Sequence, residues 1–346
     1  MARVLVGMSG GVDSSVAAYL LKEQGYEVVG VTMTLFKSKE PSNQVEDAKK
    51  VCDKLGIEHH VVDYNEQFNN RVISNFIDSY LNGETPNPCI VCNKYLKFGL
   101  LWDKAKELNC EYIATGHYAD IKDNQICSID SPKDQSYFLY KIKKEVIPHI
   151  LLPLNKFANK DEIREIAKRE NLVEVAEKKD SQDICFIENG DYAKFLEENL
   201  STLPPKGKFI LTTGEEIGEH KGIIYYTIGQ RKGLGISYKH PLYVVNIDKE
   251  NNQVILGKEE DLYSKTIYIK NTNILVDHLP NKAQGKIRYK SKLVPCTINI
   301  IDDNNIKIEF DEPVRSATKG QSLVLYNNEI LLGGGNIHCI TQQQPK

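Results

Sequence analysis

Two stretches of the chain carry residue types at spacings that can do chemistry. The first is "GMSGGVDSS", Gly7 to Ser15. Gly10 and Gly11 let backbone N–H groups approach phosphate oxygens closely, and Ser9, Ser14 and Ser15 add hydroxyl donors. A helix starting behind them adds the positive end of its dipole. The bland account is a tight turn capped by Asp13 or Ser14. A glycine pair among Ser and Asp residues, between a strand and a helix, favours a phosphate loop instead. It lacks the lysine of the Walker-type loop and the glycine spacing of the dinucleotide loop. The second stretch is "TPNPCIVCNK", Thr85 to Lys94, with Cys89 and Cys92 three apart. A zinc site, a redox disulfide and the seat of a nucleophile all use such a pair. Zinc is the weakest of these, because Cys52, Cys110, Cys127, Cys185, Cys296 and Cys339 form no second CxxC. The other two readings stay open on these residues alone.

The elements that must position these residues follow from periodicity. "RVLVGM" is a buried-strand run leading into the glycine loop, and Ser14 to Gln24 reads as the helix behind it. "YEVVGVTMTLF" and "EHHVVDY" are further strands. Between them Val45, Ala48, Val51, Cys52 and Leu55 recur at helical spacing. A long helix carries Phe68, Val72, Ile73, Phe76, Ile77 and Tyr80 on one stripe. A further helix follows the Pro-Asn-Pro loop, and "CEYIATGHYADI" is read as the next strand. Alternating strands and helices mean a doubly wound parallel sheet, and hence an α/β fold class.

The character changes near residue 200. "STLPPKGKF" is a linker candidate, and helical periodicity nearly vanishes after it. Hairpins are expected at "PLYVVNIDKENNQVILG" and around Asn327-Asn328. "GKIRYKSKLVPCTINIIDDNNIKIEF" gives strands on either side of an Asp-Asn turn. The expected domains are a catalytic α/β domain over 1–200, a small mixed β-rich domain over 207–268 and a β-barrel over 269–346. In "KIRYKSK", Lys286, Arg288, Lys290 and Lys292 alternate, which on a strand would put them on one face. Such a stripe suits RNA phosphates and equally a lysine-guarded edge strand.

The net charge of −3 excludes a global basic field, so any nucleic-acid surface is local. Eight irregularly spaced cysteines point to reduced thiols in a cytoplasmic protein. The opening "MARVLVGMSGG" enters a strand directly and reads as neither a signal nor a transit peptide. No apolar run approaches membrane-spanning length, so no membrane partner is expected.

"SGGVDSS" resembles the signature of the PP-loop ATP pyrophosphatases, which transfer AMP to a carbonyl oxygen and release pyrophosphate. Asp13 cannot attract phosphate by its own charge, and suits a Mg2+ ion held against the pyrophosphate. Six further motifs complete the pattern: "TPNPCIVCNK", "TGHYA", "KDQSYFLY", "KKDSQDICFI", "YYTIGQRKGLGI" and "LGGGNI". Together and in this order they resemble the bacterial-type tRNA-specific 2-thiouridylase family over nearly the whole chain. The resemblance implies ATP-dependent replacement of oxygen 2 of the anticodon wobble uridine by sulfur. It assigns the persulfide to Cys185 and the partner thiol to Cys92, the two ending in a disulfide. It assigns ATP to Gly7, Met8, Ser9, Gly10, Gly11, Val12, Asp13, Ser14, Met33 and Gly116, although Met33 is as readily a core residue. Asn87, Pro88 and Cys89 match the target-base loop. His117, Lys133, Asp134, Gln135, Arg288, Tyr289 and Gln321 match tRNA contacts. Implied partners are tRNA and a cysteine desulfurase or sulfur-relay protein as sulfur donor. The alternative is another PP-loop tRNA thiolase or ligase, with Cys89, Cys92 and Cys185 holding a 4Fe-4S cluster. The remaining cysteines, Cys339 included, are expected to be inert buried thiols.

Overall fold

The computed structural model describes residues 1–36, 43–172 and 184–342. The chain forms two compact units. Unit 1 holds Met1–Ile73, Cys89–Phe186 and Glu329–Leu331; unit 2 holds Ser74–Pro88, Ile187–Asn328 and Leu332–Lys346.

Unit 1 is the expected parallel sheet. Its strands are β1 (Arg3–Gly7), β2 (Glu27–Thr34), β3 (Glu58–Asp63), β4 (Tyr112–Ala114) and, further along the chain, Ile150–Leu151. Their order is β3-β2-β1-β4 and then Ile150–Leu151, every pairing parallel. Val4, Leu5 and Val6 are fully buried, because helices cover both faces of such a sheet. Helix α1 (Val12–Glu23) and helix α2 (Gln44–Leu55) follow the first two strands. Val16, Ala17, Leu21, Ala48, Val51 and Cys52 join Val4 and Val6 in one core. The order runs outward from β1 in both directions, so the loop after β1 lies at the carboxyl end of the sheet, where such folds bind ligands.

Three details differ from expectation. The long helix is α-helical over α3 (Asn65–Phe68), π-helical over Asn69–Ile73 and α-helical again over α4 (Ser74–Leu81). The helix after the Pro-Asn-Pro loop begins as α5 (Pro88–Cys92), with Pro88 at its first position, where a missing N–H costs nothing. It continues as a π-helix over Asn93–Leu100 and returns to α-helix as α6 (Leu101–Glu107). The strand expected over "CEYIATGHYADI" stops at Ala114. A side chain at Gly116 would meet Asp13 backbone carbon at 2.9 Å, so the chain presses on the start of α1 and leaves the sheet. The next strand, β5 (Asp120–Lys122), lies outside the parallel sheet and pairs antiparallel with β6 (Gln125–Cys127).

Unit 2 is β-rich, as expected. With the strand Ile150–Leu151 counted as β7, β8 (Gly207–Leu211), β9 (Glu216–His220), β10 (Tyr243–Asp248) and β11 (Gln253–Gly257) form a sheet in the order β10-β11-β8-β9. A closed barrel follows: β12 (Tyr263–Ile274), β13 (Lys282–Lys286), β14 (Val294–Ile300), β15 (Asn305–Arg315), β16 (Ser322–Asn327) and β17 (Ile330–Gln342). Its order is β12-β15-β14-β13-β16-β17, with β17 pairing back onto β12. The first residues of β17 belong to unit 1, where Ile330 pairs with Cys127. Among the described residues no helix is long and apolar enough to cross a membrane.

The strand stripe expected for "KIRYKSK" is not present. β13 ends at Lys286, and Arg288 to Ser291 form a turn in which the Ser291 N–H donates to Arg288 O at 3.0 Å. Arg288, Lys290 and Lys292 are exposed on that turn, and Lys286 lies 5.6 Å from the Tyr289 ring centre. Strand alternation therefore does not align the four cations.

Candidate active site

The glycine loop is shaped by its own side chains. Gly10 has φ of 65°, and a Cβ there would sit 2.6 Å from Gln44 O, so both conformation and space require glycine. The Ser9 N–H donates to Ser14 Oγ at 3.1 Å. Ser14 and Ser15 hydroxyls donate to Gly11 O at 3.1 and 2.9 Å. The serines thus stiffen the loop, whereas their residue type alone had suggested donation to phosphate. Gly11 is the N-cap of α1 and provides no side-chain acceptor, which leaves the helix start to an external anion.

Asp13 is held by two residues that sequence reasoning missed. Tyr118 Oη donates to Asp13 Oδ1 at 2.7 Å, and Lys160 Nζ pairs with Asp13 Oδ2 at 2.9 Å. Tyr118 is fixed in turn by Gln135, whose Oε1 accepts from the Tyr118 N–H at 3.0 Å. Asp134 accepts from the Ile129 N–H and the Ser136 hydroxyl. Gln135, expected at tRNA, thus holds Tyr118 behind Asp13, while Asp134 ties together its own turn; Lys133 beside them is exposed. Tyr118 lies inside the quoted "TGHYA", but no sequence signal marks Lys160. Each Asp13 oxygen keeps a lone pair. Mg2+ takes one or two carboxylates and otherwise rests on phosphates and water, so Asp13 fits as one ligand of a nucleotide-bound ion. Met33 lies half-buried near the end of β2.

Cys89 and Cys92 stand one turn apart on α5. All eight cysteines carry free thiols. Cys92 is buried, whereas Cys89 and Cys185 keep exposed surface. Burial pushes the Cys92 thiol up to about 11, against the opposing pull of Lys97 and with a contribution from Cys89. Although the Cys185 residue reaches the surface, the protein packed around its sulfur raises its thiol to about 12, with Cys92 and Cys89 adding to the rise. Cys89 is raised by burial and pulled back by Lys97. Cys89 and Cys92 thus both act on the Cys185 thiol, although Cys185 is 93 residues from Cys92 in sequence. The Lys178–Asp183 part of the Cys185 motif lies outside the described residues. Among the described residues no group of three or more His, Cys, Asp or Glu is placed to hold a metal ion.

His117 is buried rather than on the surface, with Nδ1 2.7 Å from Thr115 Oγ1. Burial and then Lys97 hold its imidazole well below the usual range, hence neutral. In unit 2, Gln321 Nε2 donates to Thr85 O at 2.9 Å and the Thr85 N–H donates to Lys319 O at 2.8 Å. Gln321 thus anchors the loop that carries Asn87 and Pro88. Of the other cysteines, Cys52, Cys110, Cys127 and Cys296 are buried as expected. Cys339 is exposed, which corrects the expectation.

Family models match in three consecutive blocks. These are a tRNA methyl transferase HUP domain over residues 2–189, a tRNA methyl transferase PRC-barrel domain over 193–258 and an aminomethyltransferase beta-barrel domain over 264–337. The tRNA-specific 2-thiouridylase MnmA of Clostridioides difficile is 46% identical over 354 residues, covering 97% of this chain and 98% of that protein. The MnmA 2 protein of Caldanaerobacter subterraneus is 47% identical, covering 97% of each. Among solved structures, the U34-tRNA thiolase NcsA of Methanococcus maripaludis is 23% identical over 57% of this chain and 67% of that one, with a TM-score of 0.36. On full-length identity at this level, the chain belongs to the tRNA-specific 2-thiouridylase family.

Proposed function

We propose that the protein is a tRNA-uridine 2-sulfurtransferase that uses ATP to thiolate the anticodon wobble uridine. The observation that carries this reading is that the Cys92 sulfur acts on the Cys185 thiol in the unit that also holds the glycine loop. A uracil 2-carbonyl is a poor electrophile with a very poor leaving group. Its oxygen attacks the α-phosphorus of ATP, pyrophosphate leaves, and the oxygen then carries AMP. The terminal sulfur of a Cys185 persulfide attacks carbon 2, and AMP leaves with the C–O electron pair. The Cys92 thiolate attacks Cys185 Sγ, and 2-thiouridine leaves with the S–S pair. Cys92 and Cys185 remain as a disulfide, which a dithiol reductant reopens. Mg2+, where bound, would lower the charge of the phosphates. The loop N–H groups, Asp13, Tyr118 and Lys160 orient the nucleotide.

The substrate base must leave its stack, as bases acted on by other base-modifying enzymes do. Nucleoside mass spectrometry of tRNA incubated with protein, ATP, Mg2+ and a desulfurase with cysteine tests the reading. It should show 2-thiouridine at the wobble position. Thiolation elsewhere, or a methylated nucleoside in place of a thiolated one, would refute it.

The exposed cations of the 288–292 turn are the RNA-binding groups proposed for unit 2. Changing Arg288, Lys290 and Lys292 to Gln together should weaken tRNA binding. The log–log salt slope should fall by about 0.7–0.9 for each phosphate that is no longer neutralised. A slope equal to that of the unchanged protein would leave these residues as solvated surface.

A further inference from the structure

Lys97 is half-buried on the π-helix Asn93–Leu100, five residues after Cys92. In an α-helix, residues five apart point about 140° away from each other. The i→i+5 bonding of a π-helix turns them towards a common face, and such segments are frequent at functional sites. The Lys97 side chain has no ion pair and no hydrogen bond among the described residues. Its charge instead acts on the thiols of Cys89, Cys92 and Cys185 and on the imidazole of His117. Among the described residues, the other groups acting on Cys92 and Cys185 through space are these thiols themselves. A half-buried cation with no carboxylate partner among the described residues, whose charge acts on three thiols, suits an anion formed on one of them.

We infer that Lys97 is the positioning residue that holds negative charge on sulfur during transfer, first on the Cys185 persulfide and then on Cys92. This rests on the thiolation reading for its purpose. The charge effect itself can be read without turnover. At rest, burial outweighs Lys97 and both thiols stay protonated at neutral pH, which protects them from oxidation and stray electrophiles. Deprotonation to an attacking thiolate is the step that the cation favours. The proton leaves to solvent or substrate. The bonds made and broken stay those of the transfer itself: C–S forms as C–O breaks, then the Cys92–Cys185 S–S bond forms as the persulfide S–S breaks. Removing the charge pushes both thiols still higher, so less thiolate exists at any pH below them.

The test is the rate of iodoacetamide alkylation at Cys92 and Cys185, followed by peptide mass from pH 7 to 10 in wild type, Lys97→Met and Lys97→Arg. A shift of about one pKa unit makes alkylation of both thiols about tenfold slower in Lys97→Met. Lys97→Arg should stay near wild type, and exposed Cys339 should react alike in all three. A loosened variant would expose the thiols and speed alkylation, the opposite sign, so slowing reports charge. Equal or faster rates in Lys97→Met would overturn the inference, as would Lys97→Arg slowing as much as Lys97→Met. No tRNA or ATP is present, so this result and the nucleoside assay fail independently.

Discussion

Cys185→Ser is expected to carry no sulfur after incubation with a desulfurase and labelled cysteine, whereas Cys92→Ser should load and then stall. Both should reduce thiolation to background, since a serine oxygen neither holds a sulfane sulfur nor opens an S–S bond. The division of labour has a structural basis. Cys185 keeps exposed surface, so a donor protein can reach it, whereas Cys92 is buried and suits a thiol that acts only within the site. In Cys92→Ser the sulfur should remain releasable from Cys185 by a reductant, and no Cys92–Cys185 disulfide can form. Adenylation, read as tRNA-dependent pyrophosphate release, should persist in both variants because the glycine loop is untouched. Labelled sulfur retained equally on both variants would reverse or abolish the roles of the two thiols. Cys89→Ala should cost little, since the transfer steps use only two thiols. Activity that required iron and vanished with Cys89 would instead restore the cluster alternative.

Much of the scaffold was legible because its signals are local. Buried β-branched runs announce a parallel sheet, and a glycine pair between strand and helix announces the loop. Dyad alternation around Asn-rich turns announces the hairpins of unit 2. The misses share a different cause. Nothing in the hydrophobic period distinguishes an α-turn from a π-turn, so the helical insertions at Asn69 and Asn93 were not foreseen. "KIRYKSK" alternates as a strand would, but the ladder partner ends and a Ser291–Arg288 turn takes over. Tyr118 and Lys160 reach Asp13 from 105 and 147 residues away in sequence, and a single chain carries no record of such pairings. His117 reads as a polar surface residue until Thr115 and Phe98 are seen to enclose it.

Those interactions around Asp13 make its substitution the second large effect. Asp13→Ala should abolish tRNA-dependent pyrophosphate release and leave tRNA binding nearly intact, because the proposed phosphate-binding residues Arg288 and Lys290 belong to unit 2. The loss has two sources: a carboxylate suited to Mg2+, and the anchor that fixes Lys160 and Tyr118 beside the helix start. Asp13→Asn separates them. Its amide oxygen can still accept from Tyr118 Oη, but it no longer pairs with the Lys160 charge and is a far poorer Mg2+ ligand. Tyr118→Phe removes one hydrogen bond worth about 1 kcal/mol and should slow release only severalfold. Lys160→Gln removes the ion pair without touching a metal ligand. If Asp13 holds the ion, Asp13→Asn alone should raise the Mg2+ concentration needed for half-maximal release, while Lys160→Gln leaves it unchanged. Equal Mg2+ dependence in the two variants would assign Asp13 to positioning Lys160 only. Release of ADP and phosphate by the wild type, in place of AMP and pyrophosphate, would remove the adenylation chemistry on which both readings of Asp13 depend.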